Sequence, residues 1–286
     1  MMHLHMIGLA GAIAVGCRLW GRPTDQSARW QLRWHRALIA FVVPPLLLLA
    51  TAVAVVTMGT TTIYAWEGYL SYFLSLRFVM IALGRWLQLA GQALKTQREV
   101  RRYPKRLIET QNSKTLSRVI DMPTVFSAQI GLWTSDLVVS RGLLTHLDSE
   151  HLEAVLAHES GHAYYRDTFW FFWLGGLRRL TKWLPYTEAL WQELLLLREV
   201  RADCWAARQV DTLVLAESLM SVITAPLIEA EAICAGFSCA APRSRLAQRV
   251  DALLADDFSG SFGSALWQWV AIALALSPLL TIPFHY

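Results

Sequence analysis

The stretch HLEAVLAHESGHAYYRD, His151 to Asp167, decides how the chain is read. Asp148 or Ser149 just ahead of it can cap a helix running to roughly Tyr165, with Glu150 and Glu153 in its positive first turn. On a helix, positions i and i+4 lie almost one above the other, about 6 Å apart along the axis. His158 and His162 stand in that relation, so both imidazoles can reach one metal ion. Glu159 is turned about 100° from His158, close enough to touch a water on that metal without ligating it. The spacing therefore marks His158 and His162 as candidate metal ligands and Glu159 as a candidate general base.

A catalytic zinc ion takes three protein ligands and keeps one position open. A third histidine six residues after His162 is excluded, because position 168 is Thr, and the next histidine is His285. A carboxylate must serve. Glu199-Val-Arg-Ala-Asp203 offers one on a second expected helix, about Thr187 to Val210, with Asp203 at i+4 to accept a hydrogen bond from a ligand histidine and fix its tautomer. The structural alternative is Glu199 as a plain ion-pair partner of Arg198 or Arg201. Glu188 and Glu193 are weaker candidates because they lack the paired aspartate. Arg166 and Asp167 read as a supporting or surface pair, and His146 and His151 as without a catalytic part.

Outside this segment the chain looks like a membrane protein. Its hydrophobic fraction is 55% and its charged fraction 17%, against about 45–50% and about a quarter in soluble domains. The thirteen tryptophans suit a membrane–water boundary. The net charge of +4 comes from basic residues beside apolar runs, which fits juxtamembrane loops better than a nucleic-acid surface. Cys17, Cys204, Cys234 and Cys239 form no disulfide framework and no zinc-ribbon spacing, and read as free thiols.

Four runs approach the length needed to cross a bilayer. They are about 4–20, 37–58 with Pro44-Pro45 kinking its start, 69–89 interrupted by Arg77 and Arg85, and 265–282. Arg77 is expected to face the helix bundle or to snorkel. A signal peptide is the rival for the first run, but that run lacks a basic start and a small-x-small cleavage site. Arg18, Arg22, Arg29, Arg33 and Arg36 keep the first loop inside, 59–68 holds no basic residue, and Lys95, Arg98, Arg101, Arg102, Lys105 and Arg106 put the following segment inside. The expected topology is amino terminus out, three spans over 1–94, a domain inside over 105–260, and a fourth span at 265–282. Within the domain, Asp136–Ser140 reads as a strand and Pro123–Ala128 as a second short one. The run 169–184, FWFFWLGGLRRLTKWL, is too short to span and reads as an interfacial helix.

HESGH, the lead-in LVVSRGLLTHLDSEHLEAVLAHE and the downstream EVRAD together resemble the membrane gluzincin peptidases, over roughly Pro123 to Leu254. Three spans before the site and one after are most similar to the BlaR/MecR type of sensor-transducer (peptidase family M-56), related to the HtpX and CAAX prenyl protease type (family M-48). The resemblance implies a mainly α, multi-pass membrane protein with four transmembrane helices and a compact α+β zincin-like domain carrying a small edge sheet. It implies one zinc ion per chain on His158, His162 and Glu199, Glu159 as base, and Asp203 behind a ligand. Arg249 matches a later arginine that contacts substrate in the HtpX type, with Arg243 as a substitute, although the histidine usual in that stretch is missing. Only 283–286 follow the fourth run, so the outer β-lactam-binding domain of the BlaR/MecR receptors is not expected.

The function that follows is a zinc-dependent membrane-anchored endopeptidase, hydrolysing membrane or membrane-proximal cytoplasmic proteins on the inner face of a bacterial inner membrane. Its partners would be a protein or peptide substrate, laid as a strand along Pro123–Ala128, and the bilayer, with no nucleic acid. Two alternatives stay open: a non-proteolytic transducer with a structural zinc site, and an intramembrane metalloprotease. The intact Glu159 speaks against the first, and Asp148, Glu150, His151 and Glu153 beside the zinc helix speak against the second.

Overall fold

The computed structural model describes residues 2–23, 29–59, 66–111, 113–224, 245–254 and 266–284. The chain divides into two compact units. One holds Met1–Leu87, Gly176–Leu194 and Ser261–Tyr286, and the other holds Gln88–Gly175 and Leu195–Gly260.

The first unit contains helices α1 (Met2–Trp20) and α2 (Trp30–Met58), most of α3 (Trp66–Arg101), and at its end α10 (Leu266–Ala275) followed by a 3-10 helix (Ser277–Phe284). Ala10, Leu47 and Ala275 pack together in its core. Two buried arginines tie its helices. Arg33 pairs with Glu193 at 2.6–2.8 Å, and Arg18 donates to Phe41 O and Thr181 Oγ1, both at 3.3 Å.

Among the described residues two helices, not four, are long and apolar enough to cross a membrane: Trp30–Met58 and Trp66–Arg101. The first expected span forms α1, but small residues and two histidines dilute its apolar run and Arg18 lies fully buried near its end. The fourth expected span breaks in two. Among the described residues its α-helix has ten, Leu266–Ala275, about 15 Å at 1.5 Å per residue, half the ~30 Å of a hydrocarbon core. Pro278, which has no N–H to continue the ladder, is the second residue of the next element, Ser277–Phe284. The helix α2 runs through Pro44 and Pro45, and Arg77, expected to face a bundle or to snorkel, is exposed on α3.

The second unit carries a four-stranded mixed sheet of order β1-β2-β4-β3, with β1 Lys105–Glu109, β2 Lys114–Ile120, β3 Ser127–Ile130 and β4 Asp136–Ser140. The β1–β2 hairpin is antiparallel, β2 and β4 run parallel, and β3 lies antiparallel to β4 on the outer edge. The central β4, DLVVS, has four of its five residues buried, as expected of an apolar strand covered on both faces. The β3–β4 turn needs Gly131: its φ is +143°, and a Cβ there would stand 2.2 Å from Thr134 O.

Four helices build on that sheet: α4 (Arg141–His146), α5 (Ser149–Tyr164), α8 (Thr212–Thr224) and α9 (Leu246–Leu254). Two more, α6 (Asp167–Leu180) and α7 (Thr187–Ala206), have residues in both units. Asp148 caps α5 by accepting from the backbone of Glu150 and His151 at 3.1 and 2.9 Å. One face of α5 buries Leu152, Val155 and Leu156 against Leu137, Val139 and Leu143. Another buries Ala154 and Ala157 against Leu215, Leu219 and Leu253. Each large apolar side chain so placed contributes about 1.5–3 kcal/mol. Because α5 is covered on two sides, its histidines are held in a rigid, mostly dry setting.

Candidate metal centre

His158 and His162 face the same way from α5, with ring centroids 4.8 Å apart and planes at 90°. Their Nε2 atoms stand 3.2 Å from each other. Glu199 reaches in from α7, Oε2 at 3.4 Å from His158 Nε2 and Oε1 at 3.7 Å from His162 Nε2. One ligand atom from each of the three lies within 4.8 Å of the others.

The opposite ring nitrogens face carboxylates. His162 Nδ1 is hydrogen-bonded to Asp167 Oδ2 at 2.7 Å, and His158 Nδ1 lies 2.8 Å from Asp203 Oδ1, an ion-pair contact whose angle falls short of a hydrogen bond. A carboxylate facing each Nδ1 keeps a proton there, so both Nε2 atoms present lone pairs to one point. Two lone pairs and a carboxylate converging in a buried spot repel one another unless positive charge lies among them. Tetrahedral zinc, with bonds of about 2.0–2.1 Å, sets neighbouring ligand atoms about 3.3 Å apart; the 3.2 Å between the two ring nitrogens has that spacing, and Glu199 approaches with a different oxygen to each ring, at 3.4 and 3.7 Å. The donor set fits a zinc ion.

Each of the three carboxylates is also backed by an arginine. Arg198 donates to Glu199 Oε1 from Nε and Nη2 at 2.9 and 2.7 Å. Arg249 from α9 grips Asp203 through Nε and Nη2, both at 2.8 Å. Arg201 holds Asp167. Burial alone would push Glu199 and Asp203 up, but Arg198 holds Glu199 well below the usual carboxylate range and Arg249 holds Asp203 down. Burial likewise opposes charge on the imidazoles, yet Glu199 and Asp167 push His162 up to about 10 and Asp203 raises His158. The surroundings thus favour positive charge at the convergence point, which a divalent ion supplies in place of protons.

Glu159, next to His158 on the helix, is buried. Its Oε1 accepts a hydrogen bond from Ser127 Oγ at 2.8 Å. Its Oε2 is buried without a hydrogen-bond partner among the described residues. A cavity of about 140 Å³ opens here, lined by Ser127, Ala128 and Gln129 of β3, Val155, Leu219 and Val222, together with the residues of the centre. A buried carboxylate oxygen left without a donor is costly unless a donor such as water enters from that cavity.

Gly161 lets the two site helices meet. A Cβ on it would stand 3.2 Å from Ala202 Cα and Trp205 Cβ of α7. The turn from α5 into α6 passes through Arg166 at φ +54°, a left-handed conformation that costs a non-glycine residue about 1–3 kcal/mol. That turn returns the chain so that Asp167 meets His162.

The structure therefore brings His158, Glu159, His162, Glu199 and Asp203 together. Arg249 comes with them, engaged by Asp203 with its Nη1 3.6 Å from Glu199 Oε2. Arg243 lies outside the described residues, as do Cys234 and Cys239. The rival acids go elsewhere: Glu193 pairs with Arg33 and Glu188 with Arg178. Glu199 is both a candidate ligand and the ion-pair partner of Arg198. Sequence reasoning places Ser127 only within the expected substrate strand Pro123–Ala128, gives Gln129 no role and reads Asp167 as a supporting or surface pair with Arg166; the partners of Asp167 are His162 and Arg201. Asp167 at i+5 from His162 had a local signal, whereas Ser127, thirty-two residues from Glu159, had none.

The model of Peptidase family M48 matches residues 94–265, more than half of the chain and all of the residues gathered here. No curated protein and no solved structure matches the chain.

Proposed function

The chain belongs to peptidase family M48, a family of metal-dependent proteases, and from that premise we propose that it is a zinc endopeptidase anchored in a membrane. The observation that carries the reading is the convergence of two Nε2 atoms, 3.2 Å apart, with the Glu199 carboxylate. His158, His162 and Glu199 would hold the ion. Zinc, when bound, supplies Lewis acidity for the scissile carbonyl and lowers the pKa of water. Glu159 does the proton work: Ser127 fixes Oε1, leaving Oε2 to take the proton of the attacking water and hand it to the leaving amine. Asp203 and Asp167 keep the Nδ1 protons in place, and Arg249 and Arg201 keep those aspartates charged and oriented. A peptide would lie along β3, whose outer edge is not hydrogen-bonded to another strand among the described residues.

The spanning helices α2 and α3 support anchoring. Basic residues flank the start of the first and the end of the second, so both of those ends belong on the cytoplasmic side, with the metal centre there as well. Membrane or membrane-proximal cytoplasmic proteins are the substrates this placement favours, and a bacterial inner membrane is the compartment. The BlaR/MecR layout asks for three spans before the site and one after it. With two candidate spans, both ahead of the site, that layout gives no support for a sensor-transducer.

The test is metal analysis of the purified protein together with the Glu159→Gln variant. The variant should keep its zinc and lose about 10²–10⁴-fold in peptide hydrolysis. Full hydrolysis by a zinc-loaded Glu159→Gln protein would sink the reading.

A further inference from the structure

The start of α6, DTFWFFW over 167–173, is apolar on both of its sides. Phe171 and Phe172 are buried, while Trp170 and Trp173 are 54% and 43% exposed. A helix lying in water turns polar residues outward; this one turns out indoles. Trp133, in the β3–β4 turn and 67% exposed, extends the same surface. Its ring lies 5.0 Å from Phe169, which lies 5.2 Å from Trp170 and 6.4 Å from Trp173. The exposed Arg166 places its guanidinium 5.5 Å from the Phe169 ring. The sole acid between 163 and 180 is Asp167, and it is buried, held by Arg201 and His162. The patch therefore combines aromatic rings and a cation with no exposed negative charge of its own segment.

We propose that Trp133, Phe169, Trp170, Trp173 and Arg166 form a lipid-docking surface that seats the metal-bearing unit in the headgroup region of a bilayer. Indole is the side chain suited to that zone, because its ring is apolar and its N–H remains in contact with water and lipid carbonyls. An exposed guanidinium meets lipid phosphates in the same layer. The occupant is a bilayer and not a second protein for two reasons. The accessible charge on this segment has one sign, and the chain carries two helices able to cross a membrane, so a lipid surface is permanently at hand.

The docking surface adjoins the lining of the cavity in sequence. Thr168, between the site residue Asp167 and the patch residue Phe169, lines it. A cavity opening next to lipid would receive extended segments of proteins just as they leave the membrane. That consequence rests on the peptidase reading; the seating rests on the reading of α2 and α3 as membrane anchors.

The experiment uses the full-length Glu159→Gln protein labelled with 5-fluorotryptophan, in phosphatidylethanolamine/phosphatidylglycerol nanodiscs, with each fluorine resonance assigned by single Trp→Phe substitution. A nitroxide lipid labelled in the headgroup region should broaden the resonances of Trp133, Trp170 and Trp173, while a soluble gadolinium chelate leaves them sharp. Broadening by the chelate without broadening by the lipid label would overturn the proposal, since the patch then faces water. Protection from both reagents would overturn it too, since the patch is then covered by protein. Because the variant is read without catalysis, failure of the peptidase reading leaves this result interpretable. In a Trp170→Ser/Trp173→Ser protein the lipid broadening at Trp133 should fall by about half or more, and unchanged broadening there would count against a shared surface.

Discussion

Arg249 and Asp203 meet in a buried two-point ion pair, Nε to Oδ2 and Nη2 to Oδ1, both at 2.8 Å. The same Oδ1 lies 2.8 Å from Nδ1 of His158. The arginine thus bears on the candidate metal centre through an aspartate. Removing it leaves a buried carboxylate without its counter-charge, so Arg249→Ala should destabilise the protein by about 3–5 kcal/mol. It should also weaken metal binding about 10–100-fold, as loss of a supporting contact does. Chemical denaturation and a metal-buffer titration check both. Unchanged metal affinity with a large drop in kcat would instead make Arg249 a direct contact of the reacting carbonyl.

Ser127 donates to Glu159 Oε1 and so decides which oxygen faces the cavity. Ser127→Ala should leave metal content intact and lower kcat about ten-fold, the scale of one hydrogen bond to a charged group. Ser127→Thr, which keeps the hydroxyl, should recover most of that loss. A fall in bound zinc in Ser127→Ala would show that the serine supports the ligands instead.

Gly161→Ala sets two effects against each other. Alanine gains about 0.5–1 kcal/mol over glycine in a helix interior. Its methyl would stand 3.2 Å from the backbone Cα of Ala202, and backbone in a packed helix does not yield cheaply. The expected result is a less stable protein with weaker zinc binding, because α7 carries Glu199 and moves away from the histidines. A more stable variant with full metal affinity would contradict this.

A pH-dependent tie lies away from the metal. His151 on α5 faces Asp148 at 2.8 Å and Glu217 of α8 at 3.3 Å, and the hydrogen bond that its ring donates to Asp148 raises its pKa against the opposing effect of burial. A histidine raised in the folded state adds stability that is complete below its unfolded value, about 6.5, and is lost as pH rises through the folded value. Thermal midpoints of wild type and His151→Gln should therefore differ most in mildly acidic solution and converge by about pH 9. A gap that widens with pH would refute the assignment.

Local features were legible where chemistry and periodicity coincide. The helix with His158, Glu159 and His162, its cap at Asp148, the strand Asp136–Ser140 and the helix bearing Glu199 and Asp203 could all be read from short windows. The β1–β2 hairpin escapes that reading, because KRLIE is exposed at four of its five positions, KTLSRVI buries only two of its seven residues, and neither has a clear apolar alternation. The fourth span was misread for a different reason. Composition reports how apolar a stretch is, but not whether its hydrogen-bond ladder continues past Ser277-Pro278.

The sequence by itself determined the donor types, the i to i+4 spacing that stacks two imidazoles, and the aspartate placed one turn beyond a candidate glutamate. Those depend on helix geometry, which is the same in any chain. Only the tertiary structure decided that Glu199 and not Glu193 faces the histidines, that Asp167 answers His162 and that Ser127 orients Glu159. Each of those pairs brings together residues from different elements, and the packing of α5 against sheet, α7 and α8 fixes which side chains meet.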